Sequence, residues 1–216
     1  MYTTIILSLS KDEVRMSRNP QAGKAHMSKA LLVLINGHPG TGKTTLGKRL
    51  AKDLALPFLS KDDLKERLFD TLGVGDQAWS RKLGHASVEL LFLVVERQLE
   101  AGASLVMEMP FIPEFHTSRF LDLAERCDFE PLQICCTCDE QVLYERFRRR
   151  AETGERHPGH VDQPTTFADF KSQMQRERHL DIGGLLIHVD TTDFEKVDYP
   201  DLLATVARQY NALQSS

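Results

Sequence analysis

The chain is poor in several features, and each shortage closes off a class of protein. Its 216 residues hold only four cysteines, and Cys127, Cys135, Cys136 and Cys138 lack the paired C-x-x-C spacing of a structural zinc site. Three of them fall in the strand-like run 132–138, so they read as buried free thiols of a reducing compartment, and a cytoplasmic location is expected. No apolar run approaches the ~20 residues that span a bilayer, so no membrane segment is expected. Basic residues are outnumbered, 27 Lys and Arg against 31 Asp and Glu, and a net charge of −4 offers no general surface for nucleic acid. No segment repeats.

The N-terminal stretch is weakly informative. Thr3 to Leu9 is mildly apolar, but Lys11, Asp12, Glu13 and Arg15 follow without a small-residue cleavage signal, so residues 1–29 read as a disordered extension. Met27 opens the segment leading into the first strand and stands as an alternative translation start. Mass spectrometry of the native N-terminus distinguishes the two starts. Residues 30–216, with 41% apolar residues in the whole chain, suffice for one domain with a full core.

What the sequence does have is a run from Gly37 to Thr44 reading Gly-His-Pro-Gly-Thr-Gly-Lys-Thr, entered from the apolar segment Ala30 to Ile35. This is G-x-x-x-x-G-K-[ST], the phosphate-binding P-loop, in its strand–loop–helix setting. Gly37, Gly40 and Gly42 allow close backbone approach to an anion, and successive N–H groups, Thr41 included, form a nest ahead of a helix N-terminus. Lys43 would reach the β- and γ-phosphates of ATP and the Thr44 hydroxyl would bind Mg²⁺. Thr45 continues the helix and completes the nucleotide-binding set. His38 occupies a variable position of the motif and is assigned no chemistry.

Alternating patterns follow. A short strand at 56–59 precedes Ser60, whose side chain is placed to cap a helix from Lys61 to about Leu72 that Gly73 ends. A long helix is expected over 79–102, a strand over 104–108, a loop through Pro110 and Pro113, and a helix over about 117–127. The cysteine-bearing strand, a helix over 139–151, a Gly/Pro-rich loop, a helix over about 167–178, a strand over 185–190 and a helix over 199–213 complete the chain. The pattern predicts an α/β P-loop NTPase sandwich of three layers, a five-stranded parallel sheet with helices on both faces, its site at the C-terminal strand ends.

A P-loop alone serves motors, GTPases, transporters and kinases. The guanine-reading N-K-x-D sequence, an L-S-G-G transporter signature and a strand ending in paired acids are all missing, which disfavours the first three. After the short second strand, Ser60-Lys61-Asp62-Asp63 brings carboxylates where an acceptor hydroxyl would need a base. From Leu32 to about Asp190 the chain resembles small P-loop kinases of the polynucleotide 5′-hydroxyl kinase, chloramphenicol phosphotransferase and zeta-toxin type, and the bacterial AAA-family ATPases that share their fold. The resemblance implies that Asp62 is the base. It also implies that Glu108, at the end of the third strand, orders Mg²⁺-bound water or the acceptor, although many relatives carry Asp there. Arg146 and Arg150, one helical turn apart, match the lid arginines that close over nucleotide phosphates. The lid would span about 150–165, with Arg156 to His160 as its tip and its two histidines within reach of substrate.

The expected activity is transfer of the ATP γ-phosphate to a hydroxyl of a small molecule, with Mg²⁺. A polynucleotide 5′-hydroxyl kinase, or a nucleotide-dependent ATPase or switch with a protein partner, are the competing readings. Arg81, His85 and Glu89, four residues apart on one helix face, with Phe111, Pro113 and His116, would line the acceptor pocket. The acceptor itself and the oligomeric state stay open.

Overall fold

The computed structural model describes residues 29–153, 156–160, 166–167, 170–171 and 179–215. Residues 1–28 of the expected N-terminal extension, most of the expected helix over 167–178, and residues 154–155 and 161–165 of the expected lid lie outside them. Five strands, β1 (Ala30–Gly37), β2 (Phe58–Ser60), β3 (Leu105–Glu108), β4 (Phe129–Thr137) and β5 (Leu185–Asp190), form one parallel sheet in the order β2-β3-β1-β4-β5. Six α-helices with fully described bounds flank them: α1 (Lys43–Asp53), α2 (Lys61–Leu72), α3 (Gln77–Glu100), α4 (Pro113–Arg126), α5 (Glu140–Thr153) and α6 (Tyr199–Gln214). No helix among the described residues is long and apolar enough to cross a membrane.

β1 explains the three layers. All of its residues are buried, as a strand covered on both faces must be. Side chains alternate across a strand, so Ala30, Leu32 and Leu34 pack with Leu91, Phe92 and Val95 of α3 and Phe120 and Leu123 of α4. Leu31, Val33 and Ile35 face the other way, onto Leu46 and Leu50 of α1 and Leu202 and Val206 of α6. Each fully buried Leu or Val contributes roughly 1.5–3 kcal/mol relative to exposure, so two half-cores share one strand.

Register brings the working ends together. Ile35 and Ser60 both lie beside Glu108, Gly37 lies beside Cys136, and Thr137 beside Asp190, all at the C-terminal edge. β2 starts later than expected because Leu56 and Pro57 precede it rather than join it. α4 starts earlier than expected, at Pro113, since proline at a first helical position gives up an N–H that has no partner there anyway.

Gly184, ahead of β5, has φ of 75°, and a Cβ on it would overlap the Pro131 carbonyl of β4. Gly184→Ala is therefore expected to cost about 2–4 kcal/mol. In thermal unfolding this reads as a melting temperature lower by roughly 5–15 °C.

Candidate active site

The loop between β1 and α1 is shaped by glycine where a side chain cannot fit. Gly42 has φ of 80°, and a Cβ there would lie 2.8 Å from the Phe194 ring. Gly37 is in the same position, since its Cβ would come within 2.7 Å of the Cys136 carbonyl and the Thr41 hydroxyl. Thr41 is fully buried, its N–H and hydroxyl both donating to the His38 carbonyl at 3.2 and 2.9 Å. Asn36 fixes the loop's other side: its Oδ1 accepts from the N–H groups of Gly37 (2.8 Å) and Phe111 (3.0 Å). Ser60, Asp76 and Asp198 cap α2, α3 and α6, but α1 begins on Gly42 with no side-chain cap. Its first N–H groups thus meet no capping side chain, an arrangement able to receive an anion. Thr45 is exposed on the first turn.

Lys43 turns inward, with Nζ 3.4 Å from Oε1 of Glu108, and both side chains are buried. The second oxygen of Glu108 accepts from Ser60 Oγ at 2.8 Å and Thr44 Oγ1 at 3.2 Å. The carboxylate, 3% exposed, is therefore held by one ammonium and two hydroxyls. Thr44 and Glu108 together offer hard oxygen ligands of the kind Mg²⁺ selects. Ser60 Oγ also accepts from the Asp62 N–H at 3.3 Å, capping α2 as the sequence suggests.

Asp62 stands one residue into α2. Burial pushes its carboxyl up, but Lys61, then His160 and Lys43, outweigh that and hold it at about 2. Lys61 Nζ lies 3.2 Å from Oδ1, and Arg156 lies 4.0 Å from Oδ2. A carboxylate so held is ionised at every physiological pH. Asp63, by contrast, pairs with Lys48 on the exposed side.

Arg146 lies beside the P-loop, its Cβ 3.9 Å from where a Cβ on Gly40 would sit. Its guanidinium donates to the carbonyls of Thr191 (3.0 Å) and Thr192 (2.9 Å) and to Cys138 Sγ (3.4 Å), tying α5 to the segment after β5. Arg150, half-buried one turn on, makes no side-chain hydrogen bond or ion pair among the described residues. Of the thiols, Cys135 and Cys136 are pushed by burial to about 11 and about 12, so neither is a thiolate. Among the described residues no cluster of His, Cys, Asp and Glu is arranged to hold a metal as a group of three or more.

The segment 156–160 folds down onto α2. His157 stacks on Phe69, accepts from the Gly159 N–H and donates through Nε2 to Asp70 at 3.2 Å. His160 accepts at Nδ1 from Arg156 and donates through Nε2 to Glu66 at 3.0 Å, which makes it a neutral ring. Burial and Arg156 push its pKa down, in agreement with that tautomer. The Gly159 carbonyl accepts from Ser80 Oγ at 2.9 Å. The two histidines expected to reach substrate are thus engaged with α2.

Lys61, the partner of Asp62, borders a cleft of about 660 Å³ that is also lined by Arg81, His85, Glu89, Ile112 and His116, among others. Four of the residues expected in the acceptor pocket therefore meet. Arg81, His85, Glu89 and His116 line it; Phe111 does not, because it is fully buried in the core against Phe120 and His116. Pro113 is spent on starting α4. Ser60 and Asn36 were not expected at the site, and Arg156 was expected only as part of the lid tip. Ser60 had a capping signal only, and Asn36 had no signal beyond closing an apolar strand.

The family model for the AAA domain matches residues 32–176, about two thirds of the chain. The chain belongs to this family. A solved structure of a Chloroflexus aurantiacus j-10-fl protein, provisionally assigned as a kinase, is 40% identical, with a TM-score of 0.79 over 84% of this chain and 98% of that one. Two more distant structures share the fold alone: Kti12 of Chaetomium thermophilum with ADP-AlF3 (TM-score 0.59, 16% identical, 83% and 98% of the chains) and a gluconokinase from Sinorhizobium meliloti 1021 (0.51, 16%, 87% and 97%). A shikimate kinase of Bacteroides fragilis is 45% identical over 42 residues, 19% of this chain. The chain thus spans about a quarter of the length, 24%, of the curated relatives it matches. The AAA-domain protein has a P-loop fold of the kinase type, with five parallel strands and helices on both faces.

Proposed function

We propose that the protein is an ATP- and Mg²⁺-dependent phosphotransferase acting on a hydroxyl of a small molecule. The observation that carries this reading is Asp62: an ionised carboxylate within the field of Lys43, paired with Lys61, which itself lines an open cleft. A hydrolase would need only a water there, whereas a cleft of this size admits an acceptor.

In this reading the P-loop amides and Lys43 hold the β- and γ-phosphates, and Arg150 meets their charge from the lid side. Arg146 positions α5 against the loop. Thr44 and Glu108 supply ligands for Mg²⁺, whose charge when bound offsets that building on the transferred group. The acceptor oxygen forms its bond to γ-phosphorus as the bond to the β–γ bridging oxygen breaks, and the hydroxyl proton passes to Asp62. With a pKa of about 2, Asp62 is a weak base, so it orients the hydroxyl and takes the proton late.

The test is incubation with γ-labelled ATP and a small-molecule extract, with mass identification of any labelled product. ATP hydrolysis that no extract component diverts into product would sink the reading. The docked segment 156–160 adds a second expectation, because a closed site separates transfer from hydrolysis. A Cβ on Gly159 would overlap the Phe69 ring. Gly159→Ala should therefore raise the ratio of ATP hydrolysis to transfer about tenfold, read as free phosphate against labelled product.

A further inference from the structure

The geometry points to an acceptor that carries a negatively charged group, a phosphate or a carboxylate, held by Arg81 on the wall of the cleft that Lys61 borders. This rests on the phosphotransferase reading and narrows its substrate class.

Charge in the cleft is unbalanced. Lys61, Lys65 and Arg81 line it against one lining carboxylate, Glu89. Both oxygens of Glu89 are taken by Arg119, at 2.7 and 3.0 Å, so it offers the cleft little counter-charge. Lys61 is shared with Asp62, and Lys65 is buried and donates to Ser80. Arg81 differs: exposed on α3, it has no side-chain hydrogen bond or ion pair among the described residues. Its planar fork is suited to two oxygens of one anion.

His85, one turn further along α3, and His116 stand on the same cleft. His116 Nδ1 accepts from the Ile112 N–H at 2.8 Å, so the ring proton sits on Nε2 and that atom can only donate. The apolar lining (Val88, Met109, Ile112 and Phe115) would face the body of the acceptor. Phe115 is 67% exposed, a large apolar surface that an occupant of the cleft would cover.

The experiment fills the P-loop with a non-hydrolysable ATP analogue and Mg²⁺, so that the γ-phosphate position is occupied and added anions are left the cleft, and follows the ring protons of His85 and His116 by NMR, assigned with His85→Gln. Inorganic phosphate and acetate are titrated separately, which distinguishes the two anion types. A saturable shift is expected with at least one of them, weakened tenfold or more in Arg81→Ala and largely retained in Arg81→Lys. No shift with either anion, or equal affinity in Arg81→Ala, overturns the proposal. In a parallel arm, an extract is split on an anion exchanger and each pool is assayed with γ-labelled ATP. The acceptor is expected in the retained pool, and an acceptor in the flow-through overturns the proposal. Saturable anion binding without transfer in either pool removes the kinase reading while supporting the anion site.

Discussion

Lys43→Ala is expected to reduce phosphoryl transfer at least about a thousandfold, below detection in an ordinary coupled assay. In the proposed reading this lysine holds the transferred phosphate, and its loss has a second effect. Glu108 would remain as a buried carboxylate with two hydroxyl donors and no counter-charge, a change that costs about 3–5 kcal/mol where one partner of a buried pair is removed. Lost activity could then reflect lost fold. The double variant Lys43→Ala/Glu108→Gln separates the two, since a neutral amide needs no partner charge. Its melting temperature should recover most of the loss while transfer stays absent. Recovery of transfer along with the fold would refute a phosphate-holding role for Lys43.

The second large effect is expected at Asp62. Asp62→Asn should lower kcat about 10²- to 10⁴-fold while ADP binding by calorimetry changes no more than a few-fold. The pH dependence follows from the depressed pKa. A carboxyl at about 2 when folded and near 4 when unfolded adds stability above the unfolded value, and that contribution is lost as pH falls through the folded one. The side chain is 39% exposed, so the amount is small after solvent screening. For catalysis the consequence is sharper: no inflection near pH 4 in kcat/KM belongs to Asp62. Full turnover by Asp62→Asn with the true acceptor would end its assignment as the acceptor-side carboxylate.

How far the sequence reaches can be judged residue by residue. The P-loop is legible because its chemistry depends on consecutive backbone positions, so spacing alone carries it. Ser60 is legible as a cap for the same local reason. Glu108 was placed at a strand end by the short apolar run 105–107 before it, but its link to Lys43 and Ser60 depends on sheet order, which no local pattern encodes. The prolines at 110 and 113 read as a loop because proline breaks helix interiors, and the second of them instead starts α4. The cleft was only partly legible. Helix spacing put Arg81, His85 and Glu89 on one face, but whether Phe111 faced the cleft or the core was decided by α4 packing over it. Arg146 shows the same limit, since the carbonyls it meets lie more than 40 residues away, after β5.

Ser60 has a wider consequence than capping. One hydroxyl oxygen donates its O–H to Glu108 and accepts the N–H of Asp62, so it is the pin that joins the end of β3 to the first turn of α2. In the proposed reading those are the nucleotide half and the acceptor half of the site, and a ligand that draws Lys43 from Glu108 changes the load on that pin. The two halves then share a single oxygen atom.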